Sequence, residues 1–410
     1  MFIVEISYNM TKTVVIVCDG ANINGGANRV AIETAIGLKK ADWNVVLFAG
    51  SGPIERELIN IGVKIVCLDQ IDILSDKCRT RAIIQGLWNY KAYISLYELL
   101  IGLRSDEVFV HIHTWCKVLS PSIFAAIRRY KRCKLFVTLH DYFIICPNGG
   151  LFNYRTSKQC GLFPMSCQCL TCNCDSRNYF HKIWRFTRSI IQKKIISGIE
   201  DIAFITISSY SNKLLNPYLK KRNFFLLKNP VNQLNNVIAN ISNNDYYIYI
   251  GRLDKDKGVE LFCEAISLLG LKGIVIGDGS MMDELKEKFP LIKFTGWLVG
   301  KEKEEYILRA KCLIVTSLWH ETFGLVVAEM KMYGIPSIVP IQHAASEQIA
   351  NNKDGLVYES GNLNALKDTI LLFESLDLNE IQKYILTHFD PMSYSLSLYC
   401  AKLIDIYMRL

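Results

Sequence analysis

Residues 13–38 read TVVIVCDGANINGGANRVAIETAIGL, and their reading decides the fold. The run 13–18 is apolar and largely β-branched without alternation, as expected of a strand covered on both faces. DGANINGGAN then breaks the pattern, and Val30, Ile32, Ala35, Ile36 and Leu38 recur at helical spacing. The order is strand, glycine-rich turn, helix. It repeats outward through VVLFAG (45–50), VKIVCLD (63–69), VFVHIH (108–113), a helix near 120–130, KLFVTLH (134–140) and IAFITIS (202–208). After Lys228-Asn229-Pro230 the stretch VNQLNNVIANISNND is polar and aperiodic and reads as a linker. The alternation then restarts with YYIYIG (246–251), GIVIGDG (273–279), IKFTGW (292–297), CLIVTS (312–317), PSIVP (336–340) and LVY (356–358), with helices between them. Strands alternating with helices predict parallel sheets, so the chain is α/β, with two Rossmann-like domains facing across a cleft. Ligands of such sheets bind at the carboxyl ends of the strands.

The boundaries that follow are 1–228 for an N-terminal Rossmann-like domain with a cysteine-rich insertion at 146–174, 229–245 for a linker, and 246–385 for a C-terminal Rossmann-like domain. Residues 386–410 should form a C-terminal helix packing back on the first domain. A chain of 410 residues is long enough for two such cores. With 50% hydrophobic and 21% charged residues and a mean hydropathy of +0.17, disorder and collagen-like repeats are excluded. No apolar stretch approaches the ~18 residues of a transmembrane helix. The first residues, MFIVEISYNMTKT, lack the basic region and cleavage site of a signal peptide, so a cytoplasmic protein starting at Met1 or Met10 is expected. The net charge of +8 divides into +14 up to Lys228 and −6 beyond it. A basic N-terminal half implies an anionic partner.

Six features carry chemistry. Gly25-Gly26 lies between the first strand and its helix, where backbone N–H groups can approach a phosphate, although a purely structural turn reads equally well. Gly251-Arg252-Leu253-Asp254-Lys255-Asp256-Lys257-Gly258 occupies the matching place in the second half. Arg252 and Lys257 could neutralise a diphosphate there without a catalytic metal, and the D-x-D of Asp254 and Asp256 reads as a metal ligand pair or as solvated turn residues. Glu321 ends the turn after CLIVTS and Glu329 lies one to two turns into the next helix, so both carboxylates can reach the cleft. His140-Asp141-Tyr142 closes KLFVTLH at the end that faces the cleft, while His111 and His113 read as core and rim.

Of 14 cysteines, Cys146, Cys160, Cys167, Cys169, Cys172 and Cys174 crowd together. In a reducing compartment Cys146, Cys160, Cys169 and Cys174 are read as a structural zinc set, with free thiols and disulfides as the alternatives. Finally, YFHKIWRFTRSIIQKKIIS (179–197) mixes Phe180, Ile183, Trp184, Ile190 and Ile191 with Lys182, Arg185, Arg188, Lys193 and Lys194. It reads as a basic amphipathic helix for an anionic membrane or for packing on its own domain.

Together these residues resemble glycosyltransferase family 4, retaining enzymes of the GT-B fold. The ordered series GRLDKDKG, IGDGS, FTGW, TSLWHETFGLVVAEM, GIP and SEQIANNKDGLVY carries the resemblance, and NGGANRVA, HDY and CPNGG extend it into the first half toward enzymes of bacterial O-antigen or capsule assembly. Two departures stand out: Ala344-Ala345 where the family has a glycine pair, and Glu329-Met330-Lys331-Met332-Tyr333-Gly334-Ile335-Pro336 in place of its E-A-M-A-x-G-x-P. The resemblance implies that Arg252 and Lys257 hold the donor diphosphate, that Gly25-Gly26 approach it from the other domain, and that Glu329 takes the ribose hydroxyls. It implies further that backbone near Gly296-Trp297 reads the base, that Glu321 and the N–H groups of Phe323-Gly324 bind the transferred sugar, and that His140 contacts that sugar.

The expected partners are a nucleotide-sugar donor, UDP-linked by preference, and a glycan acceptor on polyprenyl diphosphate at an anionic membrane surface. The expected place is the inner face of the cytoplasmic membrane, peripherally bound. A nucleotide-sugar epimerase of the same fold is the alternative enzyme. A zinc-stabilised nucleic-acid binder lacks any reader motif, and a nicotinamide oxidoreductase lacks the dinucleotide fingerprint.

Overall fold

The computed structural model describes residues 12–219, 222–231 and 237–410. The two candidate starts, Met1 and Met10, lie outside the described residues, as does the middle of the expected linker. The N-terminal half contains β1 (Lys12–Gly20), β2 (Asn44–Ser51), β3 (Lys64–Cys67), β4 (Glu107–Ile112), β5 (Lys134–Leu139), the short antiparallel hairpin β6 (Phe152–Asn153) and β7 (Lys158–Gln159), β8 (Ile202–Thr206) and β9 (Asn223–Leu226). Seven of these form one parallel sheet in the order β3-β2-β1-β4-β5-β8-β9. The C-terminal half contains β10 (Tyr246–Ile250), β11 (Lys272–Ile276), β12 (Lys293–Gly296), β13 (Ala310–Ile314), β14 (Ser337–Pro340) and β15 (Gly355–Tyr358), a parallel sheet ordered β12-β11-β10-β13-β14-β15.

In both sheets the chain runs outward from the middle strand, returns, and runs outward the other way. The crevice of each half therefore opens between β1 and β4 and between β10 and β13, where the direction of winding reverses. Helices cover both faces, which is why Val14, Val15, Ile16 and Val17 are all fully buried. Alternate residues of β1 belong to different cores, Val15 and Val17 to one face and Val14 and Ile16 to the other.

Residues 237–245, which read as linker, are packed on the second half. Ala239 and Ile241 enter its core, and the Asn244 amide donates to the carbonyls of Leu308 and Ala310 at 2.8 and 3.0 Å. Asparagine supplies side-chain hydrogen bonds where no regular partner strand exists, so an Asn-rich stretch can be ordered without periodicity. The final helix, Leu396–Met408, lies against the first half. Tyr399, Cys400, Leu403 and Tyr407 join the core that includes Val14 and Ile16, Tyr407 stacks on Phe109 at 5.3 Å, and its hydroxyl meets His111 Nδ1 at 2.7 Å. The chain thus crosses between halves twice, and the crossings touch: Val231 N–H donates to Tyr394 O at 3.0 Å.

Asp19 fixes the first crevice. From the end of β1 its buried carboxylate accepts backbone N–H bonds from Lys117, Val118 and Leu119 at 3.0, 2.8 and 3.0 Å, holding the loop after β4. Replacing Asp19 by Ala leaves three inward N–H groups without their acceptor, so urea unfolding should show a loss of about 3 kcal/mol. A loss within the error of the measurement would remove Asp19 from this role.

Candidate active site

The ends of β10 and β13 are joined by backbone. Asp256 O accepts from Leu318 N–H at 2.9 Å, and Gly258 adopts φ 63° with its α-carbon so close to Thr316 that a side chain would meet that carbonyl at 2.0 Å. Only glycine satisfies both demands. The result is that Lys257 faces Glu321. Lys257 Nζ lies 2.9 Å from Glu321 Oε2, which also accepts from Ser317 Oγ at 3.1 Å and Trp319 Nε1 at 3.1 Å, with His343 Nε2 at 3.8 Å. The ammonium also sits 4.6 Å from the centre of the Trp319 ring. Burial alone would push the Glu321 carboxyl up, but Lys257 and His343 outweigh it and hold it well below the usual carboxylate range.

Arg252 is half-exposed and pairs with Asp254 at 2.7 Å and Asp256 at 3.9 Å. The D-x-D carboxylates therefore hold an arginine in place, with Asp254 also accepting from Ser280 Oγ at 3.0 Å. Glu329 is paired with Lys303 at 2.5 Å rather than left open. Lys303 belongs to the helix Gly300–Ile307 that follows Gly296 and the exposed Trp297, so Glu329 and the Gly296-Trp297 turn share one wall. Gly296 has φ 79°, and its carbonyl accepts from Gly277 N–H at 2.9 Å. Gly324 begins the helix Leu325–Met332 with φ 83°, and a side chain there would press on Ala345 at 2.8 Å. The Ala344-Ala345 pair is thus packed beneath the start of this helix. Phe323 is buried, and its carbonyl accepts from Gln348 Nε2 at 2.7 Å.

The first half meets this cluster directly. Thr322 Oγ1 donates to the His140 carbonyl at 2.8 Å. Gly25 caps the helix Gly26–Lys40, and a methyl on Gly26 would lie 3.1 Å from Leu325 of the other half. His140 Nε2 faces His113 Nδ1 at 3.0 Å, and the other His113 nitrogen is buried with no partner among the described residues. Burial pulls His140 down to about 3, so it is a neutral imidazole, while burial pushes neighbouring Asp141 up to about 6. Tyr210 completes the join, bonding His320 Nδ1 at 2.5 Å and Gln342 O at 3.0 Å, and Ser209 N–H donates to Glu347 at 3.0 Å.

Lys257, Glu321, Gly324, Gly26 and His140 are therefore brought together, while Gly296, Trp297 and Glu329 line the adjoining wall. Sequence reading missed Ser317, Trp319, Thr322 and His343. Trp319 and Thr322 flank Glu321 in the chain and could have been found from that proximity; His343 carries no such signal.

The cysteines form a separate group. Among the described residues no three of His, Cys, Asp and Glu are placed to hold a metal ion. Cys146 donates to Asn148 Oδ1 at 3.0 Å, Cys160 is only half-buried, and Cys169 and Cys174 each lie 3.3 Å from Lys182 Nζ. The positive charge between sulfurs is an ammonium from the chain itself. The same observation changes the reading of the helix Tyr179–Ile196, where Lys182 and Arg188 point inward, leaving Lys193 and Lys194 exposed.

Residues 232–385 match the family model described as Glycosyl transferases group 1. A protein described as an uncharacterized 41.2 kDa protein in the cps region of Klebsiella pneumoniae is 29% identical over 115 residues, 27% of this chain and 31% of the relative. A GDP-mannose-dependent alpha-mannosyltransferase of Mycobacterium tuberculosis is 30% identical over 113 residues, 28% of this chain and 30% of the relative. The chain thus spans about a third of the length of these two relatives. In fold the likeness runs through nearly the whole chain: HepE of Anabaena, solved with UDP and glucose, superposes with a TM-score of 0.65 at 13% identity, covering 98% of this chain and 100% of HepE. The architecture is GT-B, and residues 232–385 match a glycosyltransferase group 1 domain.

Two titrations follow. The ring signals of His140 and of His320, which burial lowers to about 4, should stay flat by NMR between about pH 5.5 and 8, and a titration of His140 in that window would contradict its neutrality. Because the folded Glu321 pKa is depressed, its contribution to stability is present above the unfolded value of about 4.3 and is lost as pH falls through the folded value. The stability gap between the protein and Glu321→Gln should accordingly be constant above pH ~6 and shrink below pH ~4.

Proposed function

We propose that the chain is a retaining family 4 glycosyltransferase that moves a sugar from a UDP-sugar to a hydroxyl of a polyprenyl-diphosphate-linked glycan during surface polysaccharide assembly. The observation that carries the proposal is the Lys257–Glu321 contact, placed at the crevice of the donor half and within one residue of the contact between Thr322 and His140. A transferred sugar needs acceptors for its hydroxyls and a cation beside the phosphate that leaves, and this cluster holds both.

In this reaction the bond from the anomeric carbon to the diphosphate oxygen breaks, and the acceptor oxygen bonds to the same face. The acceptor proton passes to the departing phosphate oxygen. Lys257 and Arg252 offset the charge that grows on the diphosphate, the N–H groups of Phe323 and Gly324 and the Glu321 carboxylate orient the sugar, and neutral His140 donates or accepts a hydrogen bond without adding charge. Glu329 takes the ribose hydroxyls after exchanging its contact with Lys303, and the Gly296-Trp297 turn borders the base.

The surface-polysaccharide role draws on the cps-region relative. Between nucleotides, the UDP complex of HepE speaks for UDP, and the name of the mycobacterial relative makes GDP the competitor to test. The membrane surface is supported by exposed apolar groups on the basic half, including Phe180 at 82%, Tyr90 at 67% and Ile84 at 66%, close in sequence to Arg79, Arg81 and Arg185. No helix among the described residues is long and apolar enough to cross a membrane.

Thermal shift with UDP, GDP, ADP and CMP tests the donor site. UDP should raise Tm, and Arg252→Ala and Glu329→Ala should abolish the shift without lowering Tm in its absence. Lys257→Ala should cut turnover by about a hundredfold or more. An inverted anomeric product by NMR, or equal indifference to every nucleotide, would overturn the reading.

A further inference from the structure

We propose that His113 is a positioning residue that holds His140 as the tautomer with its proton on Nδ1, so that His140 meets the transferred sugar only as a hydrogen-bond donor. The inference rests on the proposed contact between His140 and that sugar, and adds the direction of the hydrogen bond between them. The two rings are brought together by neighbouring parallel strands. His113 directly follows β4 and His140 directly follows β5, both at the carboxyl ends. His113 is 2% exposed, and its backbone N–H donates to Val17 O at 2.9 Å. Its Nδ1 lies 3.0 Å from His140 Nε2, with 21° between the ring planes and 5.2 Å between the ring centres. That separation matches the N···N distance plus one ring radius at each end. The rings therefore lie nearly end to end in a common plane, as a straight N–H···N bond requires. His111 packs on the other side of His113, 4.2 Å between ring centres, and is itself fixed at both nitrogens by the hydroxyls of Tyr407 and Thr138, each at 2.7 Å.

Burial keeps both imidazoles uncharged, so a single proton lies between the two facing nitrogens. If His140 donated it, the His113 proton would sit on Nε2, which is buried with no partner among the described residues. That arrangement strands an N–H donor in the interior. If His113 donates from Nδ1, its Nε2 keeps only a lone pair, and a bare ring nitrogen is the lesser loss. A free imidazole side chain favours the proton on Nε2, but two such small preferences do not offset a buried donor left unmade.

His140 Nε2 is then an acceptor already in use, and the His140 proton sits on Nδ1. That nitrogen has no partner among the described residues and its side chain is partly exposed, so Nδ1–H is the group left to a ligand. A neutral donor suits a sugar oxygen, whether hydroxyl or ether, and turns away a group that must itself donate, such as an ammonium. The site is thereby set for a sugar that carries oxygen rather than a charged amine where it meets His140.

The experiment is a long-range proton–nitrogen NMR correlation on the full chain with isotope-labelled histidine, whose coupling pattern reports which ring nitrogen carries the proton. His113→Leu and His140→Ala assign the two rings. Both should show Nδ1–H in the unaltered, ligand-free protein. In His113→Leu the His140 proton should move to Nε2, and UDP release from UDP-glucose should slow about tenfold, the worth of one hydrogen bond, with the affinity for UDP alone unchanged. His113→Asn puts an amide donor near the place of Nδ1 and should restore both the tautomer and most of the rate, which a mere packing role would not. An Nε2–H on His140 in the unaltered protein would overturn the proposal, and so would a His140 proton that stays on Nδ1 in His113→Leu. The spectrum of the unaltered protein decides the point even if a variant does not fold. Full activity in His140→Ala would instead overturn the sugar contact, and the ligand-free spectrum keeps the two failures apart.

Discussion

The contact between Lys257 and Glu321 depends on backbone before it depends on charge. Gly258 must turn left-handed against the Thr316 carbonyl, or the loop after β10 would stand off from the loop after β13 and the ammonium would fall short of the carboxylate. With the two loops locked, Glu321 can be both ionised and largely buried, because Lys257, Ser317 and Trp319 each supply a donor to one oxygen. Much of the crevice is arranged around that oxygen. The helix that starts at Gly324 takes its position from the residues just after Glu321, and Thr322 carries the contact across to His140.

The first half solves the corresponding problem with opposite means. Its crevice is held by a carboxylate whose partners are N–H groups rather than a cation, since Asp19 organises the loop after β4 through three backbone bonds. Each crevice thus holds a carboxylate whose donors are already in place, Asp19 on one side and Glu321 on the other. That is the condition under which fixed dipoles stabilise charge most efficiently.

The sheets were legible because strands buried on both faces must be continuous apolar runs, and TVVIVC or YYIYIG can hardly be anything else. Gly258 and Gly324 stood out because they follow strands and precede helices, and the acid and base that flank them share that signal. What sequence could not give was who faces whom. Lys303 and Glu329 are 26 residues apart, His343 lies beyond a strand from Glu321, and spacing along the chain says nothing about either meeting. The same limit explains the cysteines. A count of thiols does not reveal that Lys182, eight residues beyond Cys174, turns inward to within 3.3 Å of two of them. That residues 237–245 are packed was hidden for the converse reason, since Asn244 and Ala239 are ordered by partners from distant elements.

The last helix has a mechanical consequence. Because Leu396–Met408 belongs to the core of the first half and the chain runs both out and back, the two halves are joined by a pair of strands of polypeptide rather than one. A single tether would permit twisting as well as opening. Two crossings fastened to one another at Val231 and Tyr394 behave as a pin, with the Lys228 side chain resting 5.7 Å from the Tyr394 ring beside it. Any change in the angle between the halves, and so in the distance from Gly26 to Leu325, has to be taken up beside these two crossings, which must bend together.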